Sequence, residues 1–177
     1  VPGVRRVVGM DDRAAWMALA YRSALSTPEM MRVALGDGPD PAAFPPDVLA
    51  REAADLAALD DLGVRVLTIA ESAYPARLRE GAAPIVLQVA GRVDLLHDGG
   101  AEVLAGHKPL GAALEEGTPA VAVLSKGLLK AKSLLRALAE PIADGQVALV
   151  SAEPPRATWG PVRDRNRDAL CALLRGR

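Results

Sequence analysis

The chain has 177 residues, of which 50% are hydrophobic, 3% aromatic and 24% charged, and its formal net charge at pH 7 is −1. These values are typical of a globular domain with a core of Ala, Val and Leu, and they argue against general polyanion binding through overall positive charge. One cysteine and two histidines exclude a disulfide framework and a Cys-rich zinc site. No apolar run approaches the about 18 residues that span a bilayer, so we expect a cytoplasmic protein without membrane contact.

The charge is unevenly distributed along the chain. Residues 1–62 carry six basic and ten acidic side chains, a net charge of −4, whereas residues 63–177 carry fifteen basic and twelve acidic ones, a net charge of +3. The stretch 156–177 has six Arg against two Asp, a net charge of +4. A phosphate-binding surface is therefore expected in the second part of the chain, near its end. A solvated helix face is the alternative interpretation of these arginines.

Helical periodicity dominates residues 1–62 and predicts a small helical N-terminal region. Asp11 and Asp12 can cap a first helix. Ser26 is suited to cap a second helix, with Pro28 at its first position. A third helix is predicted from residue 46 to 62, and Gly63 follows as the terminating residue.

From residue 63 onward, strand and helix patterns alternate, which indicates an α/β domain over residues 63–177. The predicted strands are 64–69, 84–91, 101–106, 120–124 and 146–150, and the predicted helices are 110–116, 128–143 and 161–174. The run 120–124 is almost entirely apolar, as expected for a strand buried on both faces of a parallel sheet. We therefore predict a Rossmann-like, mainly parallel sheet with helices on both faces.

Ligands of open parallel sheets bind beyond the C-terminal ends of the strands. Two predicted loops lie there, 125–127 and 151–156, and they combine small residues, hydroxyls and cations, which suit phosphate. The second loop leads into an Arg-rich segment. The candidate phosphate-binding residues in this part of the chain are Lys126, Ser151, Arg156, Arg163, Arg165, Asn166 and Arg167. Alternatively, Asp164 and Asp168 pair with these arginines on a helix.

Residues for catalysis are scarce. His97 and His107 have no partner at metal-ligand spacing, and no Gly-x-Ser-x-Gly, Walker A or Gly-x-Gly-x-x-Gly motif occurs. Glu153 could act as a general acid or base, or it could cap a turn. Cys171 lies among apolar residues and is predicted to belong to the core. We expect neither a metal nor a cofactor, and no enzymatic activity.

Several short motifs follow one another in a characteristic order. They are Gly63-x-x-x-x-Thr68, Tyr74-Pro75-x-x-Leu78, Pro84-x-Val86-Leu87-x-x-x-Gly91, Val121-Ala122-Val123-Leu124-x-x-Gly127-Leu128, Gly145-x-x-x-Leu149-Val150-Ser151-x-Glu153-Pro154-Pro155 and Arg165-Asn166-Arg167. Together they resemble the bacterial DNA-processing family called DprA or Smf. The resemblance covers most of the chain from residue 48 onward.

This resemblance implies a Rossmann-like domain that binds single-stranded DNA in a basic pocket and self-associates as a homodimer. It also implies that the protein helps to load the RecA recombinase during transformation or recombination. Arg165, Asn166 and Arg167 fall at the family's pocket motif, with Ser151 and Glu153 in the loop beside it. Phosphate contacts are expected to supply most of the affinity, because only Trp159 and Tyr74 are available as stacking platforms in this part of the chain.

The chain departs from the family between residues 98 and 117. Members carry a Gly-Ser-Arg phosphate loop there, followed by a Ser-Gly-x-x-x-Gly-x-Asp-x-x-Ala-His segment. Gly106-His107-Lys108-Pro109 could correspond to the first, with His107 or Lys108 in place of the arginine. Equally, Ala105-Gly106 could correspond to the second, and roughly one βα unit is missing.

The chain also ends before the family's final strands, so we expect either a partial sequence or a reduced paralogue with weakened or lost DNA binding. Two other classes of function therefore stay open. One is a Rossmann-like sensor domain that binds a small nucleotide. The other is a non-catalytic scaffold that dimerises or binds a protein partner.

Overall fold

The computed structural model of the chain describes residues 10–79, 83–97, 99–124, 128, 130–155, 159 and 174. Its helices are α1 (Met10–Arg22), α2 (Thr27–Leu35), α3 (Pro46–Asp61), α4 (His107–Glu116), α5 (Lys132–Ala137) and α6 (Ala139–Ala143). Its strands are β1 (Val64–Thr68), β2 (Val86–Ala90), β3 (Glu102–Ala105), β4 (Ala120–Val123) and β5 (Val147–Ser151). The predicted Rossmann-like α/β fold with N-terminal helices is confirmed.

The five strands form one sheet in the order β1-β2-β5-β4-β3. Strands β3, β4 and β5 are parallel neighbours, whereas β2 runs antiparallel to β5. Every residue of β2 and β5 is buried, as expected for strands that are covered on both faces. Strand β3 lies at the edge of the sheet, and Val103 within it is 46% exposed.

The chain divides into two compact units. The first contains residues Val1–Ala58 and Val66–Leu87, and the second contains Leu59–Arg65 and Gln88–Arg177. The predicted boundary between residues 62 and 63 stays a prediction.

Side-chain contacts fix the helices of the first unit. The main-chain N–H of Ser26 donates to Glu29 Oε2 over 2.8 Å, and its hydroxyl donates to the same oxygen over 2.6 Å. This confirms Ser26 as the residue that caps α2, although Thr27 and not Pro28 takes the first helical position. Arg22 Nε, on α1, donates to Glu52 Oε1, on α3, over 2.8 Å, and the Glu52 side chain is buried.

The segment after β1 is held by a second group of contacts in the first unit. Glu71 accepts a hydrogen bond from Arg13 over 2.7 Å and one from the main-chain N–H of Thr68 over 2.6 Å. The buried Tyr74 hydroxyl donates to the carbonyl oxygen of Pro84 over 2.6 Å. Burial raises the pKa of Tyr74 to about 12, although the nearby Arg79 guanidinium opposes the rise.

Two predicted helices differ from the structure. The single helix expected over 128–143 is wrong, because α5 ends at Ala137 and α6 begins at Ala139. Pro141 has no N–H to donate to the carbonyl of Ala137, so the helical hydrogen bonding cannot continue through this point. The helix expected at 110–116 begins three residues earlier, at His107. The predicted helix 161–174 lies outside the described residues except for Leu174, which is helical and buried.

Candidate phosphate-binding edge of the sheet

The carboxyl ends of β3, β4 and β5 meet at one edge of the sheet. In the strand register, Ala105 is the partner of Val123, and Val123 is the partner of Val150. The residues that follow these strands therefore lie side by side. We call residues 106–108, 124 and 151–153 the carboxyl edge, and all of them belong to the second unit.

Gly106 joins β3 directly to α4. Its backbone has φ 100° and ψ 164°, a conformation that is essentially restricted to glycine. Helix α4 begins at the next residue, and the side chains of His107 and Lys108 are exposed. Because glycine offers no capping side chain, the main-chain N–H groups of His107 and Lys108 remain available to an acceptor from solution, whereas Pro109 has no N–H. The strand–glycine–helix geometry thus presents N–H groups, a helix dipole and a lysine to an anion.

Ser151 has a structural position at the same edge. Its side chain is buried, and its hydroxyl accepts a hydrogen bond from the main-chain N–H of Glu153 over 3.2 Å. The Glu153 side chain is exposed, and within the part of the chain that the structure describes its hydrogen bonds are made by its main chain. Ser151 therefore shapes the turn after β5.

The sequence analysis did not single out Gln88, a buried polar residue at this edge. It lies on β2 opposite Ser151. Its Nε2 donates to the carbonyl oxygen of Glu153 over 2.8 Å, and its Oε1 accepts a hydrogen bond from the indole Nε1 of Trp159. The available signal was a single amide inside the apolar run of β2, because a buried amide normally has a specific partner.

The two aromatic residues considered as stacking platforms are both buried. Trp159 is 2% exposed and Tyr74 is 1% exposed. Neither ring can stack on a nucleic-acid base without a rearrangement, so their proposed availability for stacking is wrong. The expectation that stacking contributes little to binding gains support from this burial.

The remaining predicted site residues lie outside the described residues. They are Lys126, Arg156, Arg163, Arg165, Asn166 and Arg167, together with the acidic alternatives Asp164 and Asp168. The proposed contact of the arginines with phosphate and their alternative pairing with aspartates both stay predictions.

Among the described residues, no three His, Cys, Asp or Glu side chains are grouped closely enough to hold a metal ion. No helix within the same residues has the length and apolar character needed to cross a membrane.

Comparison of the chain with protein-family models, with curated proteins and with solved structures gave no significant match. The resemblance to the DprA/Smf family therefore rests on the motifs in the sequence.

Proposed function

We propose that this protein binds single-stranded DNA by contacting its phosphates at the carboxyl edge. The observation that carries the proposal is the parallel register of β3, β4 and β5, which brings residues 106–108 and 151–153 to one side of the sheet. The turn at residues 151–153 falls at a motif on which the resemblance to the DprA/Smf family rests, and residues 106–108 lie at one of the two positions that could correspond to the family's phosphate loop or to the segment after it.

The width of the edge suits an extended ligand. Neighbouring strands are about 4.8 Å apart, so β3 and β5, which flank β4, are separated by about 10 Å. Lys108 follows β3, whereas the turn at residues 151–153 follows β5. A ligand that contacts both must therefore bridge the width of three strands, as a DNA strand does.

The charges of the described edge predict weak binding unless the Arg-rich segment contributes. Lys108 provides one positive charge, whereas the exposed Glu153 carboxylate provides an opposing negative charge. In this proposal the six arginines of residues 156–177 supply the additional positive charge that phosphate binding requires. Binding through such contacts releases counterions, so we expect the affinity to fall steeply as salt is added.

Replacement of Arg165 and Arg167 by Ala tests the predicted pocket motif. We expect the double variant to bind oligo-dT about tenfold or more weakly, with a flatter salt dependence, because two phosphate contacts are removed. Fluorescence anisotropy measures both quantities. The matched control is Arg92→Ala with Arg136→Ala, which removes two exposed guanidinium groups from other positions of the second unit. Unchanged binding by a folded Arg165/Arg167 variant would refute the pocket assignment.

The same proposal includes assistance in loading RecA. We expect RecA filaments to nucleate faster on single-stranded DNA when this protein is present, and no acceleration would remove this part of the proposal.

A thermal-shift assay distinguishes DNA binding from the alternative that a small nucleotide is the true ligand. We expect oligonucleotides to raise the unfolding midpoint more than mononucleotides at equal phosphate concentration.

A further inference from the structure

We propose that Gln88 is a positioning residue for phosphate binding, because it ties the segment that follows β5 to the neighbouring strand β2. This inference rests on the proposed function. It concerns only residues of the second unit. Gln88 touches no phosphate in this account, since its side chain is fully buried.

The two ends of the Gln88 amide hold two points of one segment. Its Nε2 donates to the carbonyl oxygen of Glu153 over 2.8 Å. Its Oε1 accepts the indole N–H of Trp159, six residues further along the chain. The main-chain N–H of Trp159 also donates to the carbonyl oxygen of Pro155 over 2.7 Å. One side chain thereby restrains both the turn after β5 and the indole of Trp159.

These two partners require a side chain that both donates and accepts a hydrogen bond, as the Gln88 amide does. An indole N–H can only donate, and a carbonyl oxygen can only accept. Glutamate at position 88 would direct an acceptor at the carbonyl of Glu153. An apolar residue would leave the buried indole N–H and the carbonyl without this partner, and unsatisfied buried groups are destabilising.

Gln88 acts on a turn that belongs to the carboxyl edge, because its amide holds the carbonyl oxygen of Glu153. A turn that is held in place before binding loses less conformational entropy when DNA binds. Loss of Gln88 should therefore weaken binding while the number of phosphate contacts in the complex stays the same.

The test uses Trp159 as its own reporter. Trp16 and Trp159 are the two tryptophans of the chain, so the full-length Trp16→Phe protein emits from Trp159 alone. In this background we compare Gln88→Met, which keeps the side chain unbranched, with the control Gln146→Met. Gln146 Nε2 donates to the carbonyl oxygen of Thr118 over 3.5 Å, and Gln146 precedes β5 rather than following it.

We expect Gln88→Met to shift the Trp159 emission to longer wavelength and to lower the affinity for oligo-dT about fivefold to tenfold, with an unchanged salt slope. Saturating oligo-dT should restore the shorter-wavelength emission. Gln146→Met should change neither quantity. Should Gln88→Met fail to fold, Trp159→Phe, which removes the indole donor and keeps an aromatic ring, is expected to show the same loss of affinity.

Two results would overturn the inference. One is that Gln88→Met leaves the wavelength of the Trp159 emission unchanged. The other is that the emission shifts while the affinity for oligo-dT and its salt dependence both stay as in the Trp16→Phe protein. Either leaves the proposed function standing. The proposed function has a separate test. It would be refuted if neither the parent protein nor the Trp16→Phe protein, both with Gln88 intact, bound oligo-dT at low salt.

Discussion

Gly106 is the residue on which the geometry of the carboxyl edge depends most directly. Its backbone lies at φ 100° and ψ 164°, and a Cβ added there would meet no atom within 4 Å. The need for glycine thus comes from backbone conformation and not from crowding. Gly111, inside α4, also has open space for a Cβ atom, but its φ is not positive. Comparing substitutions at Gly106 and Gly111 therefore separates the effect of backbone conformation from the effect of crowding.

We expect Gly106→Ala to lower the free energy of unfolding by about 1–3 kcal/mol, because alanine is strained in this conformation. Gly111→Ala should be neutral or stabilising by up to about 1 kcal/mol, since alanine favours a helix interior over glycine. Urea denaturation measures both. Equal effects of the two substitutions would contradict the conformational role assigned to Gly106.

Tyr74 gives a second prediction at this scale, concerning pH. Burial raises the pKa of Tyr74 from its ordinary value of 10.0 to about 12 in the folded protein. The folded state therefore keeps the phenol proton when the unfolded chain has lost it. The stabilising contribution of the phenol is present below pH 10.0 and is lost as the pH rises towards about 12.

The comparison is with Tyr74→Phe, which lacks the titrating hydroxyl. At pH 8 we expect the parent to be more stable by about 1 kcal/mol, the typical contribution of one hydrogen bond. This advantage should shrink between pH 10 and 12 in urea denaturation curves. A constant difference across that range would show that the phenol titrates alike in the folded and unfolded states.

Single residues also show where the sequence was insufficient. Gln88 and Trp159 are separated by 71 positions, and nothing local indicates that they meet. The amide in β2 signals that some partner exists, but the fold alone determines which one. Conversely, the Ser26–Glu29 spacing predicts the start of α2 from the sequence, because both partners lie within one helical turn.

Among the elements, α1 and α3 are joined by an ion pair with one buried partner. The Glu52 side chain is 1% exposed and the Arg22 side chain is 36% exposed. Glu52 Oε2 has no hydrogen-bond partner among the described residues, so Arg22 supplies most of the compensation for the buried carboxylate.

We expect Arg22→Ala to destabilise the protein by about 3 kcal/mol, because it leaves a buried carboxylate without its charge partner. Arg51→Ala removes an exposed arginine from α3 itself and should change stability by less than about 0.5 kcal/mol. Thermal unfolding of both variants checks this. Similar small losses would show that the Arg22–Glu52 pair contributes little.

The existence of most elements could be predicted from their patterns, whereas helix continuity and strand direction could not. The break between α5 and α6 follows from Pro141, a signal present in the sequence that the apolar periodicity of 128–143 obscured. The antiparallel direction of β2 had no local signal. A fully buried strand has the same apolar composition whichever way its neighbour runs.

For the whole molecule, we propose that three parallel strands bring Lys108 and main-chain N–H groups to the carboxyl edge, where they bind a DNA strand. The opposite end of the same strands provides the control. Lys108 lies at the carboxyl edge, whereas Arg92 follows β2, which runs in the opposite direction to β5. Both side chains are exposed and each carries one positive charge, so replacing either by alanine removes the same charge at a different end of the strands.

The most direct test is the affinity for oligo-dT as a function of salt, measured for the parent protein, Lys108→Ala and Arg92→Ala. With three or more phosphate contacts, we expect the parent affinity to fall about tenfold or more between roughly 50 and 200 mM salt. Lys108→Ala should bind more weakly with a salt slope lower by about 0.7, and Arg92→Ala should match the parent. Absence of binding at the lowest salt, or indistinguishable behaviour of the two variants, would contradict the account.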